Sequence, residues 1–173
     1  MRRVLNIAET GSRSLSYVLG GGVIALAIAV GMTSQGPDAI AEWTLEVFGV
    51  TFITLFSGLI FATVYCWTRL SDTTLSDKQR SVWLEAGLHG ANGVSTLALT
   101  YTLLGISLGI GTLSEQELTP ATVQTVISQL TDHFSLAFMT TVVGLPTSAA
   151  LRALVLISHS RLDAQKEDAS CVS

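Results

Sequence analysis

Apolar residues gather into four long stretches, 17–33, 45–67, 88–112 and 134–157, separated by short polar segments. A hydrocarbon layer about 30 Å thick is crossed by about 20 apolar residues in a helix. The second, third and fourth stretches meet that length; the first is shorter and contains Gly20, Gly21 and Gly22. The pattern predicts an all-α membrane protein with four transmembrane helices. Ser34-Gln35-Gly36-Pro37-Asp38 is a breaker cluster that ends the first helix. Trp43 and Trp67 bracket the second as interfacial aromatic anchors. Ser76-Asp77-Lys78-Gln79 predicts a helix start running through Val82, Trp83 and Leu84 into the third span. Val123, Val126, Ile127 and Leu130 recur at helical spacing, so the fourth helix begins before its apolar stretch.

The nine basic residues supply the orientation. Arg2, Arg3 and Arg13 precede the first span, Arg69, Lys78 and Arg80 lie between the second and third, and Arg152, Arg161 and Lys166 close the fourth. The connections 34–44 and 113–133 contain no Lys or Arg. Cytoplasmic loops retain positive charge, so both termini are expected inside. The apolar start also resembles a secretory signal; cleavage there would leave the other three helices oriented as before.

The chain divides into a leader (1–16), a peripheral hairpin (17–67), a short cytoplasmic loop (68–87), a second hairpin (88–158) and a polar tail (159–173). The leader alternates apolar and polar residues, as either a surface amphipathic helix or a solvated segment would. Charged residues make up only 13% of the chain and mean hydropathy is +0.54, which leaves no soluble domain. No basic run interleaved with aromatics points to nucleic acid. Cys66 and Cys171 fall on the reducing side without a paired spacing. His89, His133 and His159 lack ligand spacing, so no metal or other cofactor is expected. No nucleophile–base pair or phosphate-cradling loop points to an enzyme.

The last apolar stretch carries the sharpest pattern. Ala137, Thr140/Thr141, Gly144 and Thr147/Ser148 recur every three or four residues and form one helix stripe. Such a stripe admits close helix approach, or turns its hydroxyls toward partners or water. Pro146 removes a backbone N–H and frees the Val142 carbonyl, which suits a polar path. In the third stretch Asn92, Thr96 and Thr100 form a row, Ser107 lies further along, and Gly105 and Gly109 make a GxxxG. Arg152 is placed to snorkel toward the cytoplasmic headgroups. Equally informative, 88–112 holds no ionisable side chain except His89 and Tyr101, and 134–151 holds none. An intramembrane ion path normally includes an acid, base or His. If protons cross here, another polypeptide supplies the carboxylate.

These residues lead to a family. Ala137-Phe138-Met139-Thr140-Thr141-Val142-Val143-Gly144-Leu145, with Arg152 beyond, resembles the last helix of the MotA/TolQ/ExbB proton-channel family. Leu103-Leu104-Gly105-Ile106-Ser107-Leu108-Gly109-Ile110 is similar to its preceding helix, and 118–130 to its short outer loop. The resemblance covers about 88–152 and implies a bacterial inner-membrane homo-oligomer, a pentamer. That ring would surround a single-span MotB/TolR/ExbD-like partner carrying the essential Asp. Proton or sodium flow at the interface would then drive a motor. By position Thr141 matches the family's pore Thr, with Thr140 and Ser107 beside the path and Thr147, Ser148 and Gly144 extending it. Gly105, Gly109, Ala137 and Pro146 would serve packing. Two departures stand out. Ile106 occupies the position of the family's Thr, so either Ser107 supplies that hydroxyl or the ring is lost. The family's large cytoplasmic domain is replaced by 68–87 alone. The rival reading is a non-conducting tetraspan scaffold, and a lesser one is a small exporter or channel without a partner.

Overall fold

A computed structural model of the chain describes residues 2–33, 36–71, 75–114 and 122–171, with side chains for all but 2–9, 112–114, 136 and 165–171. Four helices follow in order: α1 (Arg2–Thr33), α2 (Pro37–Leu70), α3 (Asp77–Ser114) and α4 (Val123–Cys171). Each contains a segment long and apolar enough to cross a membrane. Among the described residues there is no strand.

Helix boundaries follow local chemistry. Pro37 opens α2, where its missing N–H costs nothing because first-turn amides have no helical acceptor. At α3 the predicted start is realised: the Ser76 amide donates to Gln79 Oε1 at 3.4 Å, one half of a capping box. α4 begins at Val123, ahead of its apolar stretch as predicted. The predicted turn residues Ser34 and Gln35, and the connection 115–121 with Pro120, lie outside the described residues.

Three boundaries differ from the sequence expectation. The leader is continuous with the first span in a single 32-residue helix. The expected loop 68–87 shrinks to the few residues between Leu70 and Asp77, because both flanking helices continue through it. The tail, expected to be frayed, continues α4 as far as Cys171. Amphipathic polar segments can extend a helix already fixed by its membrane part, since nucleation is the costly step.

α2 is not one straight rod. Gly49 has φ 71° and ψ 152°, a conformation that L side chains rarely adopt, and it breaks the helix. The portion 50–70 is then about 21 residues and about 31 Å long, one hydrocarbon thickness. The portion 37–48 carries Asp38, Glu42 and Glu46 at four-residue spacing, all exposed. Phe48, Phe52 and Phe56 stack across the break at 5.5 and 5.3 Å, and Tyr101 of α3 meets Phe52 edge-on at 5.0 Å.

The helices pack as an antiparallel series. α3 and α4 share the most extensive interface, α2 covers one side of α3, and among the described residues α1 touches α2 alone. Ser14, fully buried, bonds Thr68 at 3.0 Å, and Tyr17 meets the Trp67 ring at 5.5 Å. The apolar part of α1 buries none of its length within the chain. Trp67, expected as an interfacial anchor, also ties α2 to α4: its indole N–H donates to Ser158 at 2.6 Å.

Candidate functional site

The α3/α4 seam is built from small residues on both sides. Ala91, Val94, Ala98, Thr102 and Gly109 are buried along α3, and Ala137, Thr140, Gly144, Ser148 and Val155 along α4. Three- and four-residue spacing puts each set on one helix face. The backbones approach closely because side chains are small. A β-carbon on Gly144 would overlap Ala98, and one on Gly105 would come within 2.8 Å of the Ala137 β-carbon. Gly109 lies against His133, Leu130 and Phe134 in the same way. The GxxxG and Ala137 therefore pack α3 onto α4.

Threonines and a serine fill the polar capacity of this seam. The Thr102 hydroxyl lies 2.9 Å from the Ala98 carbonyl, 3.0 Å from the Ala137 carbonyl and 3.0 Å from Thr140 Oγ1, and it also meets Thr141 Oγ1. A hydroxyl has one proton and two lone pairs. One consistent arrangement has Thr141 donate to Thr102 while Thr102 donates to a carbonyl, and Thr140 donates to Ala137 at 2.7 Å. Nearer the basic end Ser148 donates to the Ala91 carbonyl at 2.7 Å. Each of these hydroxyls has a partner, as burial in an apolar surrounding requires.

The placement divides the expected path-lining residues into two groups. Thr140, Ser148 and Gly144 lie inside the seam, occupied by contacts to α3 of the same chain. That corrects their expected exposure to a path: carbonyls of a close-packed neighbour satisfy a hydroxyl where lipid cannot. Thr141 is half-buried at the seam's rim and Ser107 is exposed. Thr147 is half-buried and donates to the carbonyl of Val143 at 2.8 Å. At 3.6 residues per turn it lies about 120° around α4 from Thr141, on the other flank. Pro146 was expected among the packing positions but is exposed, on the side of α4 opposite the seam. The Val142 carbonyl that it frees therefore faces away from α3.

One flank of the α3/α4 pair remains open. Asn92 opens onto it on α3, with Thr141 and the exposed Leu145 and Arg152 on the facing side of α4; Thr96, Thr100 and Ser107, also exposed, wind from Asn92 toward the side of α3 opposite the seam. Arg152 Nη1 donates to Asn92 Oδ1 at 3.1 Å, so Arg152 spans the seam at its basic end as well as facing outward. Thr96 donates to the Asn92 carbonyl at 3.1 Å and Thr100 to the Thr96 carbonyl at 2.8 Å. Their protons are thus held by the helix, while lone pairs remain directed outward. Thr96 and Thr100 present acceptors without a charge.

Sequence reasoning singled out the Thr96/Thr100 row but not Thr102, which makes more cross-helix contacts than either. The signal was present: Ala91, Ala98, Thr102, Gly105 and Gly109 follow helical spacing as a small-residue stripe, the partner of the one on α4. No protein-family model matches this chain, and no curated protein or solved structure matches it significantly.

Proposed function

We propose that this chain is the channel-forming, stator-like subunit of an ion-driven motor in a bacterial inner membrane. In this reading several copies, five by the resemblance to the MotA/TolQ/ExbB family, ring a single-span MotB/TolR/ExbD-like helix that brings an Asp. The observation that carries the proposal is the uncharged polar row of Asn92, Thr96, Thr100 and Ser107 on α3, left uncovered by the described residues, with Thr141 at the rim of the adjoining seam. Polar side chains in a bilayer are concentrated at helix contacts and water-lined cavities. Outward lone pairs there can accept from water or from a protonated carboxylic acid without fixing the ion. The spans contribute no Asp or Glu of their own along 88–112 and 134–151, so the titrating group comes from the partner.

In this reading Thr141, Thr100 and Ser107 line the path, and Thr140, Ser148 and Gly144 hold the two lining helices together. Proton or sodium flux into vesicles holding the chain and its partner tests it. Thr141→Val is expected to stop the flux; unchanged flux would remove Thr141 from the path. The second reading, a non-conducting tetraspan scaffold, is favoured by one observation: half of the hydroxyl stripe on α4 is consumed by packing inside the chain. Absence of flux with the partner present would support that reading.

A further inference from the structure

We infer that Arg80, with the first turn of α3, forms a binding site for an anionic phosphate at the basic end of the bundle. Arg80 is 5% exposed, yet among the described residues its Nε and Nη1 have no hydrogen-bond acceptor in reach. Every other buried polar side chain among the described residues has a partner: Ser14, Thr63, Thr102, Thr140 and Ser148 each make at least one hydrogen bond. A guanidinium cannot shed its charge in a protein, and removal from water without a counter-charge is strongly unfavourable. The described residues therefore provide a charged fork without an acceptor.

Its surroundings favour phosphate. Arg80 lies in the first turn of a 38-residue helix, and helical Cα–Cβ bonds tilt toward the N-terminus, the amide end of α3. Helix N-termini and arginine forks both match tetrahedral oxyanions. Lys78, two residues earlier, is exposed on the other side of the helix from Arg80, and Asp77 is itself partnered. Tyr65, Trp67 and Trp83 lie at the same end, with the Arg69 guanidinium 5.9 Å from the Tyr65 and Trp83 rings. Aromatic side chains of this kind mark the headgroup level of a bilayer. The phosphate of an anionic lipid and free inorganic phosphate share this chemistry.

The test uses the full chain in a neutral, non-phosphate detergent, titrated separately with short-chain phosphatidylglycerol, the matching phosphatidylcholine and inorganic phosphate, with the unfolding temperature as readout. Wild type is expected to rise with phosphatidylglycerol and not with phosphatidylcholine. A rise with inorganic phosphate alone would assign the site to a soluble anion instead of a lipid. Arg80→Gln is expected to weaken the half-saturating concentration about tenfold, the scale of a lost charge-assisted hydrogen bond. Lys78→Gln is expected to change it little. The inference is overturned if neither anion stabilises wild type, a result that requires no variant to fold. It is equally overturned if Lys78→Gln removes the response as fully as Arg80→Gln, which would mark general surface attraction.

Discussion

Gly144 of α4 rests directly on Ala98 of α3, with no room for a β-carbon between the two helices. That contact sets the spacing at which Thr102 and Thr140 can bond across the seam. Gly144→Ala forces the helices apart, a change of the overpacking kind that costs about 1–3 kcal/mol. It is expected to lower the unfolding temperature in detergent despite alanine's better helix propensity. Gly21→Ala is the control: nothing lies near Gly21, so propensity alone acts and stability holds or rises. Equal effects at the two sites would contradict a close-packed seam.

Thr102 is the polar centre of that seam, and its removal separates shape from hydrogen bonding. Thr102→Val keeps the branched volume and deletes the hydroxyl that Thr141 and the Ala137 carbonyl meet. Interhelical hydrogen bonds in membranes contribute about 1 kcal/mol or less on average. The expected outcome is therefore a modest fall in unfolding temperature, with Thr102→Ser recovering most of it. A serine variant as unstable as the valine variant would show that the methyl group, not the hydroxyl, matters at this position.

Gly49 tests the break in α2. With φ at 71° and ψ at 152°, a region that essentially only glycine enters, a side chain is strained by about 1–3 kcal/mol. Gly49→Ala is expected to destabilise the chain, or to straighten α2 and draw 37–48 into line with 50–70. A spin-label distance between positions 42 and 60 reads the second outcome as a lengthening. Gly58→Ala is expected to do neither, since Gly58 is helical with open space around it.

How far the sequence reaches is clear from these residues. Hydropathy and the sorting of nine basic residues predicted four helices, and Val123 and Asp77 begin α4 and α3 where local signals put them. The stripe on α4 was equally legible, because three- and four-residue spacing states which residues share a face. It does not state what that face meets. Thr140 and Ser148 turn inward because α3 offers Ala98 and Ala91 carbonyls at the right height, a fact of tertiary register. Thr102 lies outside the exposed Thr96/Thr100 row, and only the alanines and glycines at helical spacing around it place it on the seam. The break at Gly49 was hidden for another reason: glycine is common within membrane helices, and only the backbone angle distinguishes Gly49 from Gly58.

The account rests on the polar row of α3 and the Thr141 rim of α4 facing an axial hollow shared by several copies. A reconstruction of the purified assembly, in lipid and with its partner, tests this most directly. The expected result is a ring whose central opening is lined by Thr96, Thr100 and Thr141 around a single-span helix. A monomer or dimer with those residues turned to lipid and no central opening would contradict it.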